Sequence, residues 1–230
     1  MQSSSTEKPT PVIEDYLQTI YSLHAEGASV IGARLAEAMH VSAPSVTAVI
    51  HRMAGEGYIK LNEHKEIFLT EKGNSAAEVM VRRHRLAERM LTDLLGMSWA
   101  DVHEEAHRFE HAISNLVEQR LIEVLDSPST CPHGSPIPGS KAGIPQPGIP
   151  LDRLKPGDTA KLQRVTEKAE TNRALLIYLG DNKVKPGAAV KVVSISPWDS
   201  KMVINCQGKD VPLGLDVAAQ MLMERVTGAN

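Results

Sequence analysis

Seven of the chain's 14 prolines and four of its 16 glycines fall between Pro128 and Pro150. Each proline removes a backbone N–H donor and fixes φ, so this stretch is incompatible with a helix or a sheet ladder and marks an inter-domain linker. The 230-residue chain is long enough for a separate core on either side of it. No apolar run approaches the roughly 20 residues that span a bilayer. The start from Met1 to Pro11 is polar and Ser/Thr-rich and lacks the order of a secretory signal. A cytoplasmic chain with a frayed start and no membrane partner is expected, with Cys131 and Cys206 as free thiols.

Before the linker the pattern is helical. Ile13, Tyr16, Leu17, Ile20 and Leu23 form one apolar stripe over residues 12–24, and a shorter helix covers Ala33 to Met39. Ser42 is placed to cap a third helix whose first turn tolerates Pro44, with Val46, Val49, Ile50 and Met53 on its buried side. Residues 58–69 hold two β-prone runs around a polar tip from Asn62 to Glu66, which predicts a hairpin. A helix-turn-helix followed by such a wing places its second helix in the DNA major groove. Ser42, Pro44, Ser45, Thr47 and Ala48 form the expected reading edge, a small and uncharged one that favours weak direct readout and dependence on groove shape. Arg34, Arg52, Lys60 and Lys65 are candidate phosphate contacts. The formal net charge is −3, so affinity for nucleic acid must come from such a local basic patch.

A helix is expected from Thr70 to about Leu95, ending at Gly96, and the spacing of Ser98 and Asp101 suggests a capping box for the next. On that next helix His103, His107, Glu110 and His111 fall within about 100° of one another. Val102, Ala106, Phe109 and Ile113 supply an apolar stripe beside them, so one face can be buried while the flank displays ligands. His84 and Glu88 add an i, i+4 pair one helix earlier, and imidazole with carboxylate is a common donor set for Mn, Fe or Zn. Beyond the linker, apolar runs at residues 160–165, 190–195 and 202–205 predict a small β domain. LKPGDTAKLQRV from Leu154 and VKPGAAVKVVSI from Val184 open two of its strands with matching type II turn signals.

His/Glu clusters also build two-metal hydrolases, but the chain shows no nucleophile motif and no Gly-rich phosphate cradle. No enzyme and no organic substrate are expected. An accessory to a metal transporter is a third reading, against which the winged helix counts.

The run MVRRHRLAERMLTDLLGMSWADVHEEAHRFEHAISNLVEQRL from Met80, with DYLQTIY from Asp15 and PIPG from Pro136, resembles the diphtheria-toxin-repressor family of metal-dependent regulators. The likeness covers almost the whole chain. It implies a mainly α N-terminal part and an all-β SH3-like barrel at the C-terminus. The segments would be a winged helix-turn-helix over 1–73, a helical dimerisation and metal-binding domain over 74–127, the linker over 128–150 and the SH3-like domain over 151–230. The resemblance also implies two ions per subunit. Asp15, His107, Glu110 and His111 would form the primary site, and His84, Glu88, His103, Glu167 and Glu170 the ancillary one. Iron-responsive members carry methionine and cysteine where this chain has Asp15 and His107. Harder donors favour Mn²⁺, with Fe²⁺ as the alternative. The implied assembly is a homodimer on a palindromic duplex operator, with two dimers per operator as an open extension.

Overall fold

The computed structural model describes residues 8–141 and 148–225. Of the start expected to fray, Met1 to Pro11, residues 1–7 lie outside the described residues, as does the middle of the linker, 142–147. Lys8 pairs with Glu14 at 3.5 Å and Pro11 already opens a helix, so the fraying does not extend that far. The chain divides into two compact units, Met1–Arg83 and His84–Asn230.

In the first unit, α1 (Pro11–Ala25), α2 (Gly32–Met39) and α3 (Ala43–Gly55) precede a hairpin of β1 (Ile59–Leu61) and β2 (Ile67–Leu69). Pro11 opens α1 at a position whose N–H has no helical partner in any case. Apolar side chains at helical spacing then close one core: Ile13, Leu17 and Ile20 from α1, Leu35 from α2, Val46 and Met53 from α3, Ile59 and Ile67 from the hairpin. Ser42 caps α3, its Oγ accepting from the Ser45 N–H at 3.4 Å. His40 ends α2 in the left-handed conformation, and the turn to α3 follows at once. This is the expected helix-turn-helix with a wing.

Helix α4 (Glu71–Arg89) begins in the first unit and continues into the second. Thr70 joins it to the wing: its hydroxyl donates to the Gly57 carbonyl at 2.7 Å and accepts from the Gly73 N–H at 3.0 Å. A π-helical turn, Met90–Leu94, extends it until Gly96 breaks the chain with φ +67°. The capping box expected at Ser98 is absent. The next helix, α5 (Val102–Phe109), starts one turn later with Asp101 as its N-cap and no capping hydrogen bond from that side chain. The Asp101 carboxylate is held instead by the Arg173 guanidinium at 2.5 Å. Nor does α5 reach Ile113. It ends at Phe109, which is 44% exposed, and Glu110–Ala112 tighten into a 3₁₀ turn before α6 (Asn115–Val124). The four-residue ligand arc is therefore split between an α-helix and a tighter turn.

Most of the Pro/Gly-rich stretch carries no regular element, apart from a Thr130–Pro136 bridge and the two-residue strand β3 (Ile149–Pro150). It is nevertheless packed: Cys131, His133, Ser135 and Ile137 are buried. Beyond it come β4 (Thr159–Val165), α7 (Glu167–Glu170), α8 (Arg173–Asp181), β5 (Ala189–Ser196), β6 (Lys201–Cys206), β7 (Lys209–Gly214), α9 (Leu215–Ala218) and β8 (Met221–Arg225). The strands form one antiparallel sheet of order β3-β8-β4-β5-β6-β7, with bulges in β4 and β5. Both matching turns are present, with Gly157 and Gly187 at φ +95° and the Asp158 and Ala188 N–H groups returning to the Lys155 and Lys185 carbonyls. Cys131 and Cys206 are buried free thiols. No described helix is long and apolar enough to cross a membrane.

Gly73 gives a test of how closely α4 is fitted to the wing. A Cβ there would lie 1.9 Å from the Tyr58 carbonyl oxygen. Alanine gains about 1 kcal/mol of helix propensity over glycine, but a backbone clash outweighs it. Gly73→Ala is expected to lower the melting temperature by several degrees; a rise would show that the hairpin yields without strain.

Candidate metal centre

In the second unit the C-terminal half of α4, the helix α5 and the segment from Cys131 to Pro136 converge on one carboxylate. Glu88 has no exposed surface, and an isolated carboxylate in such a place would be strongly disfavoured. It is surrounded by imidazoles. His84, one turn before it on α4, approaches through Nε2 at 3.1 Å; His103, from the first turn of α5, through Nδ1 at 3.1 Å; His133, from the Pro/Gly-rich segment, through Nδ1 at 3.2 Å. Glu170, in α7, reaches His103 at 3.4 Å and His133 at 3.7 Å, and accepts a hydrogen bond from Ser135 Oγ at 3.2 Å. Glu167 lies 3.7 Å from His103 Nε2.

A second set lies on the other side of His84. Its Nδ1 is 2.5 Å from Glu110, which also meets His107 at 3.1 Å and His111 at 3.7 Å. One imidazole thus touches both sets, Glu110 through one nitrogen and Glu88 through the other. His107 is 43% exposed and Glu110 fully buried. Asp15 lies in the first unit, on α1, and is half-buried.

His133 and Cys131 are site residues that sequence reasoning missed. Spacing gave no signal, because neither sits on a periodic element; the signal available was CPHG, two donor types flanking a proline inside a stretch dismissed as linker. The structure fixes this segment from three sides. Arg85 donates to the Pro136 carbonyl and Arg89 Nε to the Thr130 carbonyl at 2.7 Å. The Val165 N–H on β4 donates to the His133 carbonyl at 3.1 Å. Gly134, at φ +91°, is pressed so closely on β4 that a Cβ would fall 2.1 Å from the Gln163 carbonyl oxygen, which only glycine tolerates. The His133 Nε2–H donates to the Trp99 carbonyl at 2.8 Å, which leaves the Nδ1 lone pair for the interior in the neutral ring.

The donor atoms fit a metal. Within 4.8 Å of one another lie single donors from His84, Glu88 and His103, from His84, His107 and Glu110, from His103, His107 and Glu167, and from Glu88, Cys131 and His133. Two buried atoms, His133 Nδ1 and Glu88 Oε2, make no hydrogen bond, as expected of atoms that complete a coordination shell. A cavity of about 560 Å³ lined by Met97, Asp101, His103, His107, Glu170 and Arg173 borders the cluster.

Without an ion the cluster is held together by protons. Burial disfavours charge on His84, but Glu88 and Glu110 outweigh it and bring its pKa to about 9. His103 and His133 are raised in the same way against burial, by Glu170 with Glu88 and by Glu88 with Glu170. Burial works against ionised Glu110 too, yet His107 and His84 take its pKa down to about 2. Glu88 and Glu170 are also lowered against burial by the facing imidazoles, His133 foremost. Cys131 goes the other way: burial and the charge of Glu88 push it to about 12.

In the first unit the expected DNA-facing residues Ser42, Pro44, Ser45, Thr47, Ala48 and Arg52 are exposed on or beside α3, with Arg34 on α2, Lys60 on β1 and Lys65 at the wing tip. Several of their polar groups are already engaged. Ser42 and Ser45 hydroxyls lie 2.8 Å apart, Thr47 Oγ1 donates to the Ala43 carbonyl, Arg34 to the Ser29 carbonyl, and Arg52 Nε to Glu56.

A winged helix-turn-helix on a chain with a buried carboxylate–imidazole centre defines a metal-responsive DNA-binding protein. Comparison with known proteins gives the family. Residues 8–67 match the iron dependent repressor N-terminal DNA binding domain, 70–139 the metal binding and dimerisation domain of the same repressors, and 149–225 the FeoA domain. The iron-dependent repressor IdeR of Mycobacterium tuberculosis is 36% identical over 223 residues, covering 93% of this chain and 96% of that protein. The diphtheria toxin repressor of Corynebacterium diphtheriae is 33% identical over 221 residues, with 93% and 96% covered. Among solved structures, a manganese-dependent transcriptional repressor in complex with manganese superposes with a TM-score of 0.84 at 30% identity, covering 93% of this chain and all of that one. The chain belongs to the diphtheria toxin repressor and IdeR family of metal-dependent, DNA-binding transcriptional repressors, which are not enzymes.

The proton-held cluster predicts how the metal-free protein responds to pH. His84 is raised from 6.5 to about 9, so its contribution is complete below pH 6.5 and is lost as pH rises through about 9. Glu110 is lowered from 4.5 to about 2, so its contribution is complete above pH 4.5 and is lost as pH falls through about 2. Melting of the chelator-treated protein is expected to peak between these limits and to fall from pH 6.5 to 9. A flat profile over that upper range would contradict the imidazolium–carboxylate network.

Proposed function

We propose that the chain is a manganese(II)-responsive, cytoplasmic repressor of metal-uptake genes, binding a palindromic operator as a homodimer with two ions per subunit. The reading rests on donor type: His107 and His111 lie 3.1 and 3.7 Å from the buried Glu110, and with Asp15 as their proposed fourth partner all the donors are oxygen and nitrogen. A divalent ion at this set would supply the positive charge that lets its carboxylates sit together, and hard donors select Mn²⁺ over softer ions by ligand type rather than by raw affinity. The ancillary donors are Glu88, His84 and His103, with Glu167 and Glu170. His133 joins Glu88 as a further donor of that region. The Cys131 thiol, pushed up to about 12, is protonated at neutral pH and suits a hard ion poorly.

Asp15 is the coupling residue. It sits on α1, whose stripe packs in the same core as α2 and α3, while its proposed partners belong to the other unit. Joining the two restricts the orientations of the reading head to one that fits successive major grooves. By linkage, DNA then tightens metal binding by the factor with which metal tightens DNA binding.

A second reading, iron(II) as the sensed ion, is favoured by the relatives named as iron-dependent repressors. Operator affinity titrated separately with Mn²⁺, anaerobic Fe²⁺ and Zn²⁺ decides between them, and activation by Fe²⁺ at lower free concentration than Mn²⁺ would overturn the manganese assignment. Asp15→Ala is expected to keep the fold, seen as an unchanged circular dichroism spectrum, and to lose metal-dependent DNA binding by at least tenfold. A folded variant that retains full operator affinity would refute the bridging role. Replacing Glu167 and Glu170 together is expected to weaken the metal response only in part; no change would remove the C-terminal domain from the switch.

A further inference from the structure

The outward arc of α3 is nearly bare of usable side chains. Pro44 and Ala48 carry no polar group, the Thr47 hydroxyl is turned back onto the Ala43 carbonyl at 3.0 Å, and the Ser42 and Ser45 hydroxyls bond each other at the cap. Arg52, on the flank, is tied to Glu56 at 2.7 Å. At about 100° per residue, His51 falls in the middle of this arc, within about 60° of Pro44, Thr47 and Ala48 and on the far side of the helix from the buried Val46 and Met53. It is exposed, and among the described residues its ring makes no hydrogen bond or ion pair.

We propose that His51 is the specificity-determining side chain of the reading helix, donating from its imidazole to the acceptor edge of a guanine in each half-site. The inference rests on DNA binding by α3 and is independent of which metal is sensed. Three features support it. The small residues of the first two turns let the helix backbone approach the groove floor, so a longer side chain on the third turn reaches a base edge. The central position of His51 aims it at that floor, whereas Arg52 points toward the flanking backbone. An imidazole N–H needs an acceptor, and guanine presents two of them, N7 and O6, side by side in the major groove.

The test is selection of duplexes from a random library by the full-length protein with saturating Mn²⁺, repeated with anaerobic Fe²⁺. The wild-type chain is expected to select guanine at one position in each half-site. His51→Ala should lose that preference by about tenfold while other positions keep theirs, and His51→Gln should move it toward adenine, whose N6/N7 edge an amide matches. An unchanged motif in His51→Ala overturns the proposal. So does uniform weakening on all duplexes with a shallower salt dependence, which marks a phosphate contact. Loss of all duplex binding in this exposed variant also overturns it, because one base contact does not hold the helix on DNA. A wild-type motif obtained with only one of the two ions bears on the sensed metal and leaves the test of His51 intact.

Discussion

The buried carboxylate of Glu88 is the constraint on which the second unit depends. A carboxylate with no access to water must be offset by positive charge or by a metal, and three segments distant in sequence supply it. His84 comes from α4, His103 from α5 and His133 from the Pro/Gly-rich segment, each within 3.2 Å of one Glu88 oxygen. Glu170 closes the cluster from the β-rich part. Shared protons between imidazoles and carboxylates hold these groups together, and single donors from His84, Glu88 and His103 lie within 4.8 Å of one another.

That arrangement makes the two donor sets interdependent. His84 touches Glu110 through Nδ1 and Glu88 through Nε2, so any change in its protonation or coordination on one side alters its basicity toward the other. Sequence spacing placed His103, His107, Glu110 and His111 on a single helical face. The helix ends at Phe109, and the 3₁₀ turn that follows rotates Glu110 into full burial against His84 while His107 remains partly exposed. Two sets therefore arise where a regular helix would have offered one stripe.

The segment from Cys131 to Pro136 shows where local reasoning stops. Proline and glycine predicted irregular backbone, and the backbone is irregular. Irregular is not unpacked, however. Arg85, Arg89 and the Val165 N–H supply hydrogen bonds that the segment cannot make to itself, and Gly134 allows contact with β4 that any Cβ would prevent. The linker composition thus conceals a fixed loop that delivers a histidine and a thiol to the interior.

By itself the sequence determined the helix-turn-helix and its wing, the helical span after Thr70, the β-rich C-terminal part with its paired Pro-Gly turns, and the helical spacing of imidazole and carboxylate at His84, Glu88 and the His103–His111 segment. These are short-range properties, set by periodicity, capping, turn chemistry and residue type. Tertiary structure alone decided that α5 stops at Phe109, that His133 and Cys131 face Glu88, and that the Asp101 side chain holds Arg173 rather than bonding the first turn of α5. Each depends on which distant groups meet in space and consume or spare one another's hydrogen bonds. Pairwise spacing along the chain carries no record of those meetings.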